Sequence, residues 1–210
     1  MSSKRSRPYV SAVRAQAASA TRDRILEAAR ILFTARGIED VRMSEIAEAA
    51  EVAEATIYAT FRSREGILRA LMQATLFGPH YHAALERFAG ETDPERLIAL
   101  TPAVSRAIYE GEARELGVLR DIAAYSPILR AIEREFEDIR YANQEQRVRD
   151  LFAAGRARPG LTVARARRIL WMYTSRDVYR MLVTEGGWTP AAYERWLRET
   201  LLATLVADPA

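Results

Sequence analysis

Residues 43–61 combine a residue pattern and a spacing that suit one chemical task. A short helical pattern over 43–50 is followed by the tripeptide Glu51-Val52-Ala53, and a second short helical pattern ends at Phe61. Two short helices joined by a tight turn can place the amino-terminal side chains of the second helix in the major groove of DNA. The turn is tight only if Val52 packs into a small core, which we expect Phe33, Ile46 and Ile57 to form. The pattern therefore predicts a helix-turn-helix.

A preceding helix has to pack against the two short helices of the helix-turn-helix. Apolar residues recur with helical spacing from Thr21, and Gly37 is placed to end the helix. Residues 1–20 lack such a stripe, and we expect them to form a flexible basic arm.

The remaining sequence also predicts helices. One begins near Arg64, another opens at Asp93-Pro94, and further patterns occupy about 112–125, 127–154, 162–184 and 190–207. No segment alternates with the period of a strand. We predict an all-α chain with a flexible basic arm (1–20), a three-helix helix-turn-helix domain (21–65) and a larger helical domain (66–210), to which effector binding and dimerisation are assigned on the grounds given below.

The segment from Thr21 to Leu71 resembles the DNA-binding domain of the TetR family of bacterial transcriptional regulators. The resemblance is carried by Ile46-Ala47 in the second helix, by Thr56-Ile57-Tyr58-Ala59-Thr60-Phe61 in the third, and by Ser63-Arg64-Glu65 after it. It implies a cytoplasmic homodimer that binds a palindromic operator in double-stranded DNA. It also implies a small-molecule effector that releases the DNA, so that the protein acts as a repressor.

The resemblance also implies which residues meet DNA. Tyr58 and Arg64 match positions that hold phosphates, Thr56 matches a position that contacts phosphate or a base edge, and Ala55 and Ala59 could touch thymine methyl groups. The alternative for Tyr58 is a partly buried packing residue. The expected DNA-binding residues are Arg42, Ser44, Glu54, Ala55, Thr56, Tyr58, Ala59, Thr60 and Arg64.

Three positions depart from the family pattern. Glu51 replaces the turn glycine and must adopt the turn conformation at a steric cost. Ala53 replaces a serine, which removes a hydroxyl cap from the third helix. Glu54 would repel phosphates, although a glutamate can accept a hydrogen bond from cytosine N4. Glu45, Glu48 and Glu51 are interpreted as a solvated face.

Positive charge is concentrated at the amino terminus. The formal net charge of the chain is +3. Residues 1–21 carry four basic residues and no acid, whereas residues 22–66 carry seven arginines and nine acids, a balance of −2. Attraction to nucleic acid would therefore depend on the arm, unless the arm is only a solvated tail.

Aromatic residues are spread over the middle helices and could form the walls of a cavity for a largely apolar effector. Ordinary core packing is the alternative for each of them. Arg176 could hold a polar group of the effector or pair with a neighbouring side chain. The expected effector-binding residues are Phe77, Tyr81, Tyr109, Tyr125, Trp171, Tyr173 and Arg176.

The last helix carries one continuous apolar stripe, interrupted only by Thr200. With the preceding helix it could form a four-helix dimer interface around a two-fold axis. The alternative is that the stripe serves only the core of its own subunit. The expected interface residues are Met181, Tyr193, Trp196, Leu197, Leu201 and Leu205.

Several other classes of protein are disfavoured. The chain has no cysteine, no glycine-rich phosphate loop and no apolar run long enough for a membrane span. His80 and His82, the only histidines, would face different ways on a helix. We therefore expect no metal, no cofactor, no membrane and no enzymatic activity. A helical adaptor that binds protein instead of DNA stays open, and salt-sensitive retention on generic DNA would discriminate against it.

Overall fold

The computed structural model of the chain describes residues 7–115 and 126–208. Within these ranges the chain is helical, with one isolated bridge between Ala157 and Val206 and no strand. This confirms the all-α prediction. The helices are α1 (Arg7–Arg36), α2 (Met43–Ala49), α3 (Glu54–Phe61), α4 (Arg64–Leu76), α5 (Pro79–Glu86), α6 (Pro94–Glu115), α7 (Pro127–Asn143), α8 (Glu145–Ala153), α9 (Val163–Tyr173), α10 (Arg176–Tyr179), a π-helix (Arg180–Glu185) and α11 (Pro190–Leu205).

Two compact units divide the chain. The first comprises residues 1–73 and 117–130, and the second comprises residues 74–116 and 131–210. The division falls within α4, beyond the predicted boundary at residue 65. Among the described helices, none is both long and apolar enough to cross a membrane.

Helix α1 begins at Arg7, far earlier than the predicted start at Thr21. The predicted helix start at Thr21 was therefore wrong, while the flexibility of the basic arm over residues 1–20 stays a prediction. The side chains of 13–20 are all exposed, which explains why no apolar stripe marked the segment. Its many alanines favour a helix without any need for burial.

In the first unit, α2 packs against both α1 and α3. The predicted core residues Phe33, Ile46 and Ile57 are completely buried, and Val52 in the turn is half-buried. Burial of these side chains fixes the three short helices of the predicted helix-turn-helix relative to one another.

The start of α2 is held by a hydrogen-bonded network around Glu45. Its carboxylate accepts from the backbone N–H of Arg42 at 2.8 Å and from Arg36 Nη1 at 2.8 Å, while Arg36 Nη2 donates to the carbonyl of Asp40. The hydrogen bond from Arg36 holds the pKa of Glu45 below its ordinary value. The interpretation of Glu45 as a merely solvated acid was wrong, because it caps α2 and ties it to the end of α1.

In the second unit, the apolar stripe of α11 forms the centre of the core. Tyr193, Leu197, Leu201 and Leu205 are each 0% exposed and pack with buried residues of α6, α8 and α9. Since they have no surface left to bury against a partner, their assignment to a dimer interface was wrong. Of the residues expected there, Met181 is exposed and Trp196 is half-buried.

The left-handed backbone at Glu51 generates the first prediction. Its φ angle is 53°, as the departure from the family's glycine required. Glu51→Gly should raise the free energy of unfolding by up to about 1 kcal/mol, because glycine adopts positive φ without a clash involving Cβ. Chemical denaturation measures the change. The control Glu48→Gly, within α2, should lower stability by about 1 kcal/mol. If Glu51→Gly and Glu48→Gly lowered the free energy of unfolding equally, the backbone at Glu51 would not be strained.

Candidate DNA-binding surface and ligand site

Helix α3 has one buried and one exposed side. Ile57 and Phe61, one turn apart, are buried and point into the first unit. The side chains of Glu54, Ala55, Tyr58, Ala59 and Thr60 are exposed, and Thr56 is half-buried. The structure thus brings the residues predicted on α3 to a single surface. Its small side chains at 55 and 59 leave room for a close approach by another molecule.

Tyr58 is 48% exposed, so its ring lies on the surface of the unit. The alternative of a partly buried packing residue is disfavoured by this exposure. Thr60 Oγ1 donates to the carbonyl of Thr56 at 2.7 Å, which leaves the hydroxyl oxygen able to accept from a ligand.

The amino terminus of α3 lacks a side-chain cap. Ala53 occupies the N-cap position without a side-chain hydrogen bond. Free N–H groups at a helix start attract anions, but the exposed carboxylates of Glu51 and Glu54 flank this one. This end of α3 therefore combines N–H groups that could bind a phosphate with carboxylates that would repel it.

Arg64 has a structural partner that the sequence did not reveal. Its Nη1 donates to the carbonyl of Glu39 at 2.7 Å and lies 3.7 Å from the Glu39 carboxylate. Ser126 Oγ donates to the same carboxylate at 2.9 Å. Arg64 thus ties the start of α4 to the loop after α1. No sequence signal pointed to this contact, because a backbone carbonyl carries no side-chain identity.

Arg42 and Ser44, at the start of α2, are both exposed. The side chain of Arg42 is 78% exposed and lies 3.7 Å from Glu45. An ion pair this exposed contributes little stability, so the Arg42 guanidinium is free to turn toward a phosphate.

The expected effector residues occupy different surroundings in the second unit. Phe77 and Tyr81 form an edge-to-face pair with ring centres 5.0 Å apart, and Phe136 lies 5.7 Å from Phe77. Tyr173 stacks edge-on against Trp196. Tyr125 lies outside the described residues.

Three of the expected effector residues, Tyr109, Trp171 and Arg176, make polar contacts. Tyr109 is buried and donates to the carbonyl of Thr174 at 3.0 Å. Arg140 Nη1 donates to the Thr174 hydroxyl and to the carbonyl of Trp171. Arg176 pairs with the buried carboxylate of Glu112, which favours the alternative of a structural partner for that arginine.

A cavity of about 380 Å³ opens in the second unit between α5, α6 and α11. Its walls carry charged and small residues instead of the expected aromatic ones. The lining residues are His80, Ala83, Ala84, Arg87, Ala103, Arg106, Ala107, Glu110, Gly111 and Glu194. Arg106 bridges Glu110 at 3.0 Å and Glu194 at 3.2 Å, so the lining charges neutralise one another.

The burial pattern of α1–α3 is that of a helix-turn-helix. Residues 25–71 match the family model described as bacterial regulatory proteins, tetR family. The HTH-type transcriptional regulator TcmR of Streptomyces glaucescens is 34% identical over 133 residues, which are 63% of this chain and 56% of that protein. Over these residues the chain is similar to the tetR family of bacterial regulatory proteins. It spans a little over half the length of this curated relative.

Solved structures share the fold. NalD of Pseudomonas aeruginosa, the secondary repressor of the MexAB-OprM multidrug efflux pump, is 22% identical, with 91% of this chain and 100% of that chain covered at a TM-score of 0.70. FadR of Bacillus subtilis, in complex with stearoyl-CoA, is 21% identical, with 86% and 97% covered at a TM-score of 0.64. These relatives are regulators and not enzymes. The predicted order, a helix-turn-helix followed by a larger helical domain, is confirmed.

The Arg64–Glu39 contact generates the second prediction. Arg64→Ala should lower the free energy of unfolding by about 1–3 kcal/mol, because it leaves the Glu39 carbonyl without its charged donor. Thermal or chemical denaturation measures the loss. Arg24→Ala, at an exposed position of α1, is the control and should change stability by about 0.5 kcal/mol or less. If both variants were equally stable, the contact would have no structural role.

Proposed function

We propose that the chain is a homodimeric repressor that inserts α3 of each subunit into the major groove of a palindromic operator. The observation that carries the proposal is the two-sided burial of α3. Ile57 and Phe61 anchor the helix, while Ala55, Tyr58 and Ala59 stay exposed. A helix held in this way can present side chains to base edges without losing its support.

Within this proposal the contacts divide by chemistry. Tyr58 and Arg42 have exposed polar groups suited to phosphates, whereas Ala55 and Ala59 suit thymine methyl groups. Arg64 joins the phosphate contacts while holding the Glu39 carbonyl, since a guanidinium carries several donors. Phosphate contacts set the position on DNA, and the base contacts set the sequence that is read.

The acidic side chain at the start of α3 generates the third prediction. Glu54→Gln should strengthen binding to a generic labelled duplex at low salt by about fivefold, because removing one repelling charge near phosphate is worth about 1 kcal/mol. Fluorescence anisotropy over a salt series measures it, and wild-type affinity should fall linearly with salt on logarithmic axes.

The control for this measurement is Glu199→Gln, an equally exposed acid on α11 in the second unit. It should leave the affinity for DNA unchanged. An affinity for DNA that does not change with salt concentration, or an equal gain in affinity from Glu54→Gln and Glu199→Gln, would count against α3 as the DNA-contacting helix.

Dimerisation follows from the two-fold symmetry of a palindrome, because two α3 helices have to reach successive major grooves about 34–36 Å apart. With the α11 stripe inside the core, the interface must use other apolar groups. Met172, Met181 and Trp188 are large, apolar and exposed, and Trp188 packs edge-to-face against half-buried Trp196. We therefore place the interface on these side chains of residues 172–196.

The contrast between exposed and buried apolar residues generates the fourth prediction. Met181 is 51% exposed, so Met181→Glu should leave the fold intact and give monomers by light scattering, with loss of operator binding. Leu201 is completely buried, so Leu201→Glu should lower the free energy of unfolding by about 3 kcal/mol or more. A folded monomer produced by Leu201→Glu, or a Met181→Glu protein that stays dimeric, would place the interface elsewhere.

Release by a small, largely apolar effector completes the proposal. The second unit supplies half-buried aromatic side chains at Phe77, Tyr81 and Phe136. The FadR structure with stearoyl-CoA is a precedent within the fold for a ligand with an apolar chain. Effector and operator must then weaken each other by the same factor, because the coupling between two binding sites is reciprocal.

A further inference from the structure

Arg147, on α8, lacks the acidic partner that its neighbours have. Arg149 donates to Glu145 at 2.6 Å, and Arg167 reaches the same carboxylate at 2.7 Å. Among the described residues, no carboxylate lies within ion-pair distance of Arg147. Its Nη1 has only a long contact of 3.4 Å to the Thr101 hydroxyl.

The surroundings of Arg147 are apolar and aromatic. Its guanidinium carbon lies 4.7 Å from the centre of the Phe88 ring, and the side chain is half-buried. Burial lowers the pKa of Arg147, an effect that nearby Tyr81 opposes. An arginine remains charged in such a place, so Arg147 is a half-buried cation that has no carboxylate within ion-pair distance among the described residues.

Beside this cation lies a set of partly exposed rings. Phe77 contacts Tyr81 at 5.0 Å and Phe136 at 5.7 Å between ring centres, and Phe88, over which the Arg147 guanidinium lies, follows two residues after the end of α5. We name Phe77, Tyr81, Phe88 and Phe136 the aromatic wall. All four are half-buried, so part of each ring can still accept an apolar ligand.

We propose that Arg147 is an anion-recognition residue, which receives the carboxylate, sulfonate or phosphate group of an amphipathic ligand whose apolar body lies on the aromatic wall. A partly buried cation without an acidic partner lowers folding stability. An incoming anion would use the guanidinium donors that Thr101 leaves free, in a place where water competes weakly. Anion binding at Arg147 does not depend on the proposed function. Only the further step, that this ligand is the effector that releases DNA, rests on it.

A matched pair of fluorescent probes tests the assignment. Anilinonaphthalene sulfonate is an aromatic amphipathic anion, and N-phenylnaphthylamine is the same ring system without the sulfonate. Arg147→Met should weaken binding of the sulfonate about tenfold or more, because charge-assisted hydrogen bonds are lost. It should change binding of the neutral probe about twofold or less, and Arg147→Lys should retain part of the preference for the anion.

The control Arg149→Met lies on the same helix, where its side chain is 58% exposed, and it should leave both affinities unchanged. A melting temperature for Arg147→Met equal to or above that of the wild type separates a binding role from a structural one, since the unpaired cation costs stability. An unchanged affinity for the sulfonate, or an equal loss of both probes, would overturn the proposal. If Arg147→Met fails to fold, the same comparison is made with Arg147→Gln.

A final measurement distinguishes failure of this proposal from failure of the proposed function. The sulfonate probe should weaken DNA binding by the wild type more than by Arg147→Met. If the anion preference depends on Arg147 but DNA affinity does not respond, Arg147 remains the anion site and release by this ligand class is refuted.

Discussion

The orientation of α3 depends on the burial of two side chains. With only eight residues, the helix is too short to be stable alone in water, and its tertiary contacts must hold it. Ile57 and Phe61 provide those contacts, and Arg22 stacks over the Phe61 ring from α1 at 4.7 Å. Because both anchors lie on one side of α3, the opposite side is left exposed, and this is the side that we propose contacts DNA. Every proposed base contact follows from that division.

Two features hold α2 and the turn that position α3: a strained backbone at Glu51 and an ion pair between Glu45 and Arg36. Glu51 adopts a left-handed backbone so that the turn can close, and Glu45 joins the start of α2 to Arg36 on α1. The exposed acids Glu48, Glu51 and Glu54 surround the proposed contact surface. A repressor built in this way would bind generic DNA weakly and rely more on direct base contacts for its operator.

The sequence predicted the helix-turn-helix well because its determinants are local: helical periodicity, a short turn and a short motif. It predicted that the α11 stripe would be buried but could not show against what, since Leu201 meets its neighbours only through long-range packing. The partner of Arg64 is a carbonyl 25 residues away, which no side-chain pattern reveals. Arg147 was hidden for another reason: arginine is common along the chain, and only packing shows which one lacks an acid.

The central claim is that the exposed side of α3 contacts DNA. Site-specific photo-crosslinking tests it directly, with benzoylphenylalanine placed at Ala59 on α3 or at Ile31, an exposed position on α1. At low salt, where non-specific binding is strongest, irradiation with a labelled duplex should give a covalent protein–DNA band for position 59 and little for position 31. A protein that binds the duplex but crosslinks equally from both positions, or only from position 31, would contradict the account.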